Sequence, residues 1–198
     1  MSRNPVSKRR FSFILLSRLA LAALFVAVMA RSIQANQGTP FNGTFTVQAE
    51  LLTTLANCAP GDTKCIACIN NSGIYLEAQG VGDTSRGTLF LEILKCFNPA
   101  GGAFGTYVGI FTMTAPNGKD SVTGTYSGQN DNAGDAYGFG PFSGELTITS
   151  GTGKFANAGG SVRFTSVAGP VTAGPSLNSL IVMAFYSVQG TLSLEDNN

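Results

Sequence analysis

Apolar and polar residues alternate along most of this chain with a period of two. The clearest stretch is Phe142 to Phe164, FSGELTITSGTGKFANAGGSVRF. Phe142, Gly144, Leu146 and Ile148 fall on one face, while Ser143, Glu145, Thr147 and Thr149 fall on the other. That is the mark of a strand with one dry and one wet face. The same pattern predicts strands near 41–53, 73–81, 86–96, 105–115, 120–128, 141–150, 160–168 and 180–194, and no long helix. Asn117-Gly118 predicts a hairpin with a type I′ turn. Gln129–Gly140 reads as a polar, Gly-rich loop and Val167–Pro175 as a second irregular stretch.

Six of these strands place a glycine two residues before a bulky apolar side chain. The pairs are Gly43 and Phe45, Gly87 and Leu89, Gly109 and Phe111, Gly124 and Tyr126, Gly144 and Leu146, and Gly190 and Leu192. Residues two apart share a face, so each strand offers a gap beside a large group. Glycine inside a strand is costly unless the sheet bends sharply or backbones approach closely. Small barrels require such bends together with alternating small and large inward residues. The expectation is an all-β fold, a single antiparallel eight-stranded β-barrel.

Tyr107 and Phe111 share one strand face, as do Val122 and Tyr126, Phe142 and Leu146, and Val162 and Phe164. Two interiors fit this series. One is an aromatic-lined cavity for a small apolar ligand, lined by Tyr107, Phe111, Tyr126, Phe142 and Phe164. The other is a filled core. Alternation turns Glu77 outward and sets Glu145 across from Arg163 as an outward pair. The strand holding Glu92 is apolar on both faces and leaves its direction open.

The first residues follow another logic. Arg3, Lys8, Arg9, Arg10 and Arg18 precede the apolar run Leu19–Ala30, with small residues behind it at Val28-x-Ala30 or Ile33-x-Ala35. This predicts a cleavable signal peptide over 1–35 and a barrel domain over 36–198. The run is short of the roughly 20 residues that span a bilayer, so no stable membrane span is expected after processing. Export removes six of the 12 basic residues and none of the 11 acidic ones, leaving a net charge of −5. An acidic domain without a basic run argues against nucleic-acid binding. A secreted or periplasmic location follows.

Cys58, Cys65, Cys68 and Cys96 all lie beyond this segment, and an even count in an exported protein predicts two disulfides. They would staple a loop near 56–72 and tie it to the strand carrying Cys96, with three connectivities open. Cys65-x-x-Cys68 lacks the βαβ setting of a redox site, and the spacings are irregular for zinc. The chain has no histidine, which excludes Ser-His-Asp and Cys-His nucleophiles. Asn130, Asp131, Asn132 and Asp135 are oxygen-rich, but their spacing does not match a calcium loop. No metal or cofactor is expected.

Between the two strands of the opening segment, Gly151, Thr152, Gly153, Phe155, Ala158 and Gly160 resemble the GTGxFxxAxG signature of the allene oxide cyclase and dirigent β-barrels. Ser150 stands where many members have glycine. The preceding strand–hairpin–strand, GTYVGIFTMTAPNGKDSVTGTYSG, is similar to the same region of related secreted bacterial barrels. The likeness covers roughly Gly105–Val167, about a third of the chain, and the Cys-containing segment has no counterpart in it. The resemblance implies a small, often homo-oligomeric barrel with a hydrophobic interior. In that family the barrel either steers cyclisation of a fatty-acid epoxide or orients phenoxy radicals without an oxidative centre of its own. The matched positions Gly151, Gly153, Phe155, Ala158 and Gly160 are turn and packing residues, so no catalytic residue carries over. The expected function is non-catalytic binding of a small apolar ligand, or a structural, adhesive or interaction role. The alternative is a cofactor-free isomerase or dirigent-like guide.

Overall fold

In a computed structural model, the described residues are 38–102, 104–131, 140–175 and 179–194. The proposed signal segment 1–35 lies outside them, as do Asn132 and Asp135 of the oxygen-rich cluster. Eight strands follow one another: β1 Thr39–Leu52, β2 Ile74–Thr84, β3 Gly87–Asn98, β4 Thr106–Thr114, β5 Ser121–Asn130, β6 Pro141–Thr152, β7 Ala158–Ala173 and β8 Leu180–Leu194. Each pairs antiparallel with the next, and β8 returns to β1 over the register Thr39↔Leu192 to Leu51↔Leu180. The sheet is therefore a closed barrel in sequence order. Closure leaves no edge strand to pair with another chain.

Alternation determines what fills the cylinder. On β3, Leu89, Leu91, Ile93, Lys95 and Phe97 turn inward and are buried, whereas Thr88, Phe90, Glu92, Leu94 and Asn98 are exposed. Glu92 thus points out, and so does Glu77. Glu145 and Arg163 are directly opposed on β6 and β7. Five of the six glycine-plus-bulky pairs mark close strand approach, whereas Gly87 has φ 96° and open space around it and serves the β2–β3 turn. Phe45, Leu89, Phe111, Tyr126, Leu146 and Leu192 are all buried. A Cβ at Gly109, Gly124, Gly144 or Gly190 would collide with backbone of the adjoining strand, so these positions allow close strand approach in a strongly coiled sheet.

One end of the barrel is closed by short turns, among them the Gly-rich β6–β7 connection. Gly153 (φ 58°) opens a 3₁₀ turn, Gly153–Phe155, that folds the Phe155 ring back over the core, where it is 1% exposed. Asp120, in the β4–β5 connection, accepts from the Lys154 backbone N–H at 3.0 Å. The Thr152 hydroxyl donates to the Lys119 carbonyl at 2.7 Å. The β6–β7 turn is thereby latched to the neighbouring hairpin. A side chain at Gly151 would strike the Phe155 carbonyl.

The hairpin itself corrects one expectation. Gly118 has φ 68°, but Asn117 is not among the residues with positive φ, and the Gly118 N–H bonds the Ala115 carbonyl at 2.9 Å. The reason is Pro116, whose ring holds φ negative at the first central position and excludes a type I′ turn. The Asn117 side chain instead accepts from the Lys119 and Asp120 N–H groups.

Three further expectations change. The stretch read as irregular from Val167 continues as strand to Ala173, because β8 supplies a ladder partner on the far side of a bulge between Gly169 and Val171. Gln129 and Asn130 belong to β5, paired with Ser143 and Phe142. The cysteine-rich connection contains a helix, α1 (Thr63–Asn70), where a loop was expected. Asp62 caps it by accepting from the Lys64 and Cys65 N–H groups. A Cys58–Cys65 disulfide closes the turn before it, and Cys68–Cys96 pins it to β3. Cys65, Cys68, Tyr75 and Leu52 form a second small core outside the barrel wall.

Candidate functional site

At the end opposite the signature turn, the interior becomes polar. Lys95 projects inward from β3 and is only 3% exposed. Its Nζ lies 3.2 Å from the Tyr186 hydroxyl and 3.4 Å from that of Tyr126. The strand carboxylates Glu50, Glu77, Asp83, Glu92 and Glu145 all alternate onto the outer face, so none meets it. Among the described residues no carboxylate pairs with it, and Nζ sits over ring faces. It is 4.4 Å from the Tyr107 centroid, 4.7 Å from Phe142, 4.9 Å from Tyr126 and 5.9 Å from Tyr186. A cation over an aromatic face is stabilised by the ring quadrupole, by about 2 kcal/mol where water is excluded.

The rings hold one another in place. Phe97 meets Tyr107 at 4.7 Å between centroids, Tyr107 meets Phe142 at 5.4 Å, and Phe142 meets Tyr186 edge-on at 5.5 Å. Tyr126 stacks on Phe164 at 4.9 Å. The Tyr107 hydroxyl donates to Asn130 Oδ1 at 3.0 Å, and Asn130 donates onward to the Phe104 carbonyl. Asn130, placed by its sequence neighbours in an oxygen-rich cluster, therefore spends its amide inside the barrel. The buried Ser166 hydroxyl has no hydrogen-bond partner.

Burial pushes the Lys95 ammonium down from the usual lysine value to about 7. The ring faces act in the opposite sense by favouring the charged form. Burial, with Tyr186 and Tyr107 close by, holds the Tyr126 phenol well above its ordinary value, and burial raises Tyr186 as well. Both phenols are thus neutral O–H groups throughout the physiological range.

Of the five aromatic residues expected to line a site, Tyr107, Tyr126 and Phe142 surround Lys95, and Phe164 packs on Tyr126, Phe142 and Tyr186. Phe111 lies farther along β4 and packs over Gly124. Little space remains among them. A cavity of about 20 Å³ is lined by Lys95, Tyr107, Phe142 and Tyr186 together with aliphatic side chains from Val47 to Ala184. That is room for one water-sized group.

A larger recess lies outside the wall. A groove of about 440 Å³ runs between α1 and the outer faces of β3 and β4. Ala67, the Cys68–Cys96 bridge, Leu94, Val108 and Ile110 form its apolar floor and sides, and Lys64, Asn71 and Asn98 line it too. Leu94 and Ile110 are cross-strand partners, as are Cys96 and Val108. Val108 is 60% exposed, an unusual placement for valine on an outer barrel face. The Cys68–Cys96 disulfide ties α1 to β3 beside it.

Sequence reasoning missed Lys95, Tyr186 and the groove. Lys95 could have been found. Glu92 and Lys95 are three residues apart on one strand, so they must face opposite ways and one of them must be inside. Among the described residues no group of three metal-ligating side chains occurs, and no helix is long and apolar enough to cross a membrane. No family model, curated protein or solved structure matches this chain.

Proposed function

We propose that this chain is an exported, non-catalytic β-barrel of the allene oxide cyclase and dirigent type that holds a small apolar molecule in the groove between α1 and β3–β4. The observation that carries this reading is the contrast in space. The interior keeps about 20 Å³ open, whereas the outer groove offers about 440 Å³ with mainly apolar walls. Ligand sites of small molecules typically have some 300–1,000 Å³ and a few polar groups at the rim. Lys64, Asn71 and Asn98 would supply the polar contacts, and a carboxylate or phenol head group would suit the Lys64 ammonium.

Export is supported by the two disulfides, which persist in oxidising compartments, and by the basic-then-apolar start of the chain. The cofactor-free isomerase reading is less well supported, because a hydrophobic substrate has no room beside Tyr126 and Tyr186 in the filled interior. The test is thermal unfolding of the mature domain with a panel of fatty acids and phenolics. At least one should raise Tm saturably, and Val108→Glu should abolish that rise while leaving the unliganded Tm within a few degrees. No shift with any member of the panel would remove the reading.

A further inference from the structure

Lys95 has no structural justification of the ordinary kind. A buried ion without an ionic partner costs several kcal/mol even after relaxation, and an apolar side chain of similar length in such a place is commonly neutral or stabilising. The cage returns only part of that cost. What the site provides is chemical: a primary amine, two phenol hydroxyls at 3.2 and 3.4 Å, electron-rich ring faces, and beside them a small cavity whose other lining side chains are aliphatic.

We propose that Lys95 is a carbonyl-capturing amine, whose Nζ adds to a one- or two-carbon aldehyde and holds it as an iminium ion within the ring cage. The nitrogen lone pair forms the C–N bond as the carbonyl π bond opens, and a proton passes from nitrogen to the carbonyl oxygen. The resulting hydroxyl then leaves with the second N–H proton as water, giving C=N, which a solvent proton converts to the cation. The Tyr186 hydroxyl is close enough to Nζ to relay the first proton.

Three observations select this class of ligand. The cavity admits one group of about water size, which fits the carbon attached to nitrogen and little more. The rest of its lining, Val47, Ala49, Leu76, Ala168, Val182 and Ala184, is aliphatic, suited to an uncharged alkyl fragment. The four ring faces favour a positive product, so they stabilise an iminium and disfavour the anionic carbamate that carbon dioxide would form. The depressed ammonium supports the same reading, because far more of Lys95 is free amine near neutral pH than of an ordinary lysine.

The experiment treats the folded mature domain with formaldehyde and cyanoborohydride at pH 7 and follows methylation of each lysine by peptide mass spectrometry. Lys95 should be labelled at least tenfold faster than the exposed Lys64, Lys119 and Lys154. With benzaldehyde in place of formaldehyde, labelling at Lys95 should fall at least tenfold, because the ring does not fit the cavity. An unmodified Lys95 beside labelled surface lysines would overturn the proposal, and so would a rate no higher than theirs. Equal rates with the two aldehydes would overturn the size assignment. Because the readout is chemical and internal, Val108→Glu should leave it unchanged, which separates this site from the outer groove.

Discussion

The two ends of this barrel are made from the same strands and packed by opposite rules. At the signature end Phe41, Leu89, Met113, Ala115, Val122, Phe155 and Leu192 are buried, and the turns are short and latched by Asp120 and Thr152. At the other end Lys95, Asn130, Ser166 and three tyrosines occupy inward positions, and the connections are longer, one of them carrying a helix and both disulfides. The first end needs nothing beyond apolar burial and correct turn chemistry. The second retains polar groups that burial penalises, which is the pattern expected where stability has been traded for a site.

The contrast can be broken at either end. Phe155→Ala should be the most damaging change, since it uncaps the apolar end and removes a fully buried ring. A loss of about 3–5 kcal/mol is expected in urea unfolding, and a loss under about 1 kcal/mol would mean that the signature turn does not close the core. Replacing Cys68 and Cys96 together by Ser should cost about 3–4 kcal/mol, because the bridge spans 28 residues. The Cys58–Cys65 pair, spanning seven, should cost about 2 kcal/mol. Only the first double variant should also weaken ligand binding in the groove. If the two behave alike in binding, the helix is held by something other than the Cys68–Cys96 bridge.

Lys95→Met sharpens the comparison because its sign is opposite. The folded pKa of Lys95 lies below its unfolded value, so between about pH 7 and 10 the unfolded chain binds the extra proton and wild-type stability rises with pH. Below pH 7 the full burial cost is present. The variant should therefore be more stable than wild type at pH 6, with the advantage shrinking by roughly 3 kcal/mol by pH 9.5. Parallel pH profiles for the two proteins would place the titration elsewhere. Val108→Glu should have the smallest effect on stability, under about 0.5 kcal/mol, as a surface substitution.

The apolar end was the legible one. Its residues alternate cleanly, its glycines stand where a Cβ has no room (Gly151, Gly160) or where φ is positive (Gly87, Gly118), and Phe155 is the one bulky apolar side chain in a turn of small residues. The single misreading there, the type I′ turn, came from weighing Asn117-Gly118 without the φ restriction of Pro116. The polar end was obscured for a physical reason. β3 is apolar outside as well as inside, because Phe90 and Leu94 are exposed on its outer face, and this blurs the period that would have turned Lys95 inward. The helix α1 has eight residues, too few to show a periodic stripe, and it is held by disulfides whose pairing is a property of the fold. Strand β7 outran its expected end because a bulge resets alternation in a way that local pattern does not register.

Lys95 is an inward amine in a ring cage. The most direct measurement is a pH titration of the lysine side chains by NMR, using protein labelled with ¹³C at the lysine Cε. Lys95 should titrate near pH 7, with its signal shifted by the surrounding rings. A Lys95 resonance that shows no titration between about pH 5 and 9 would contradict it.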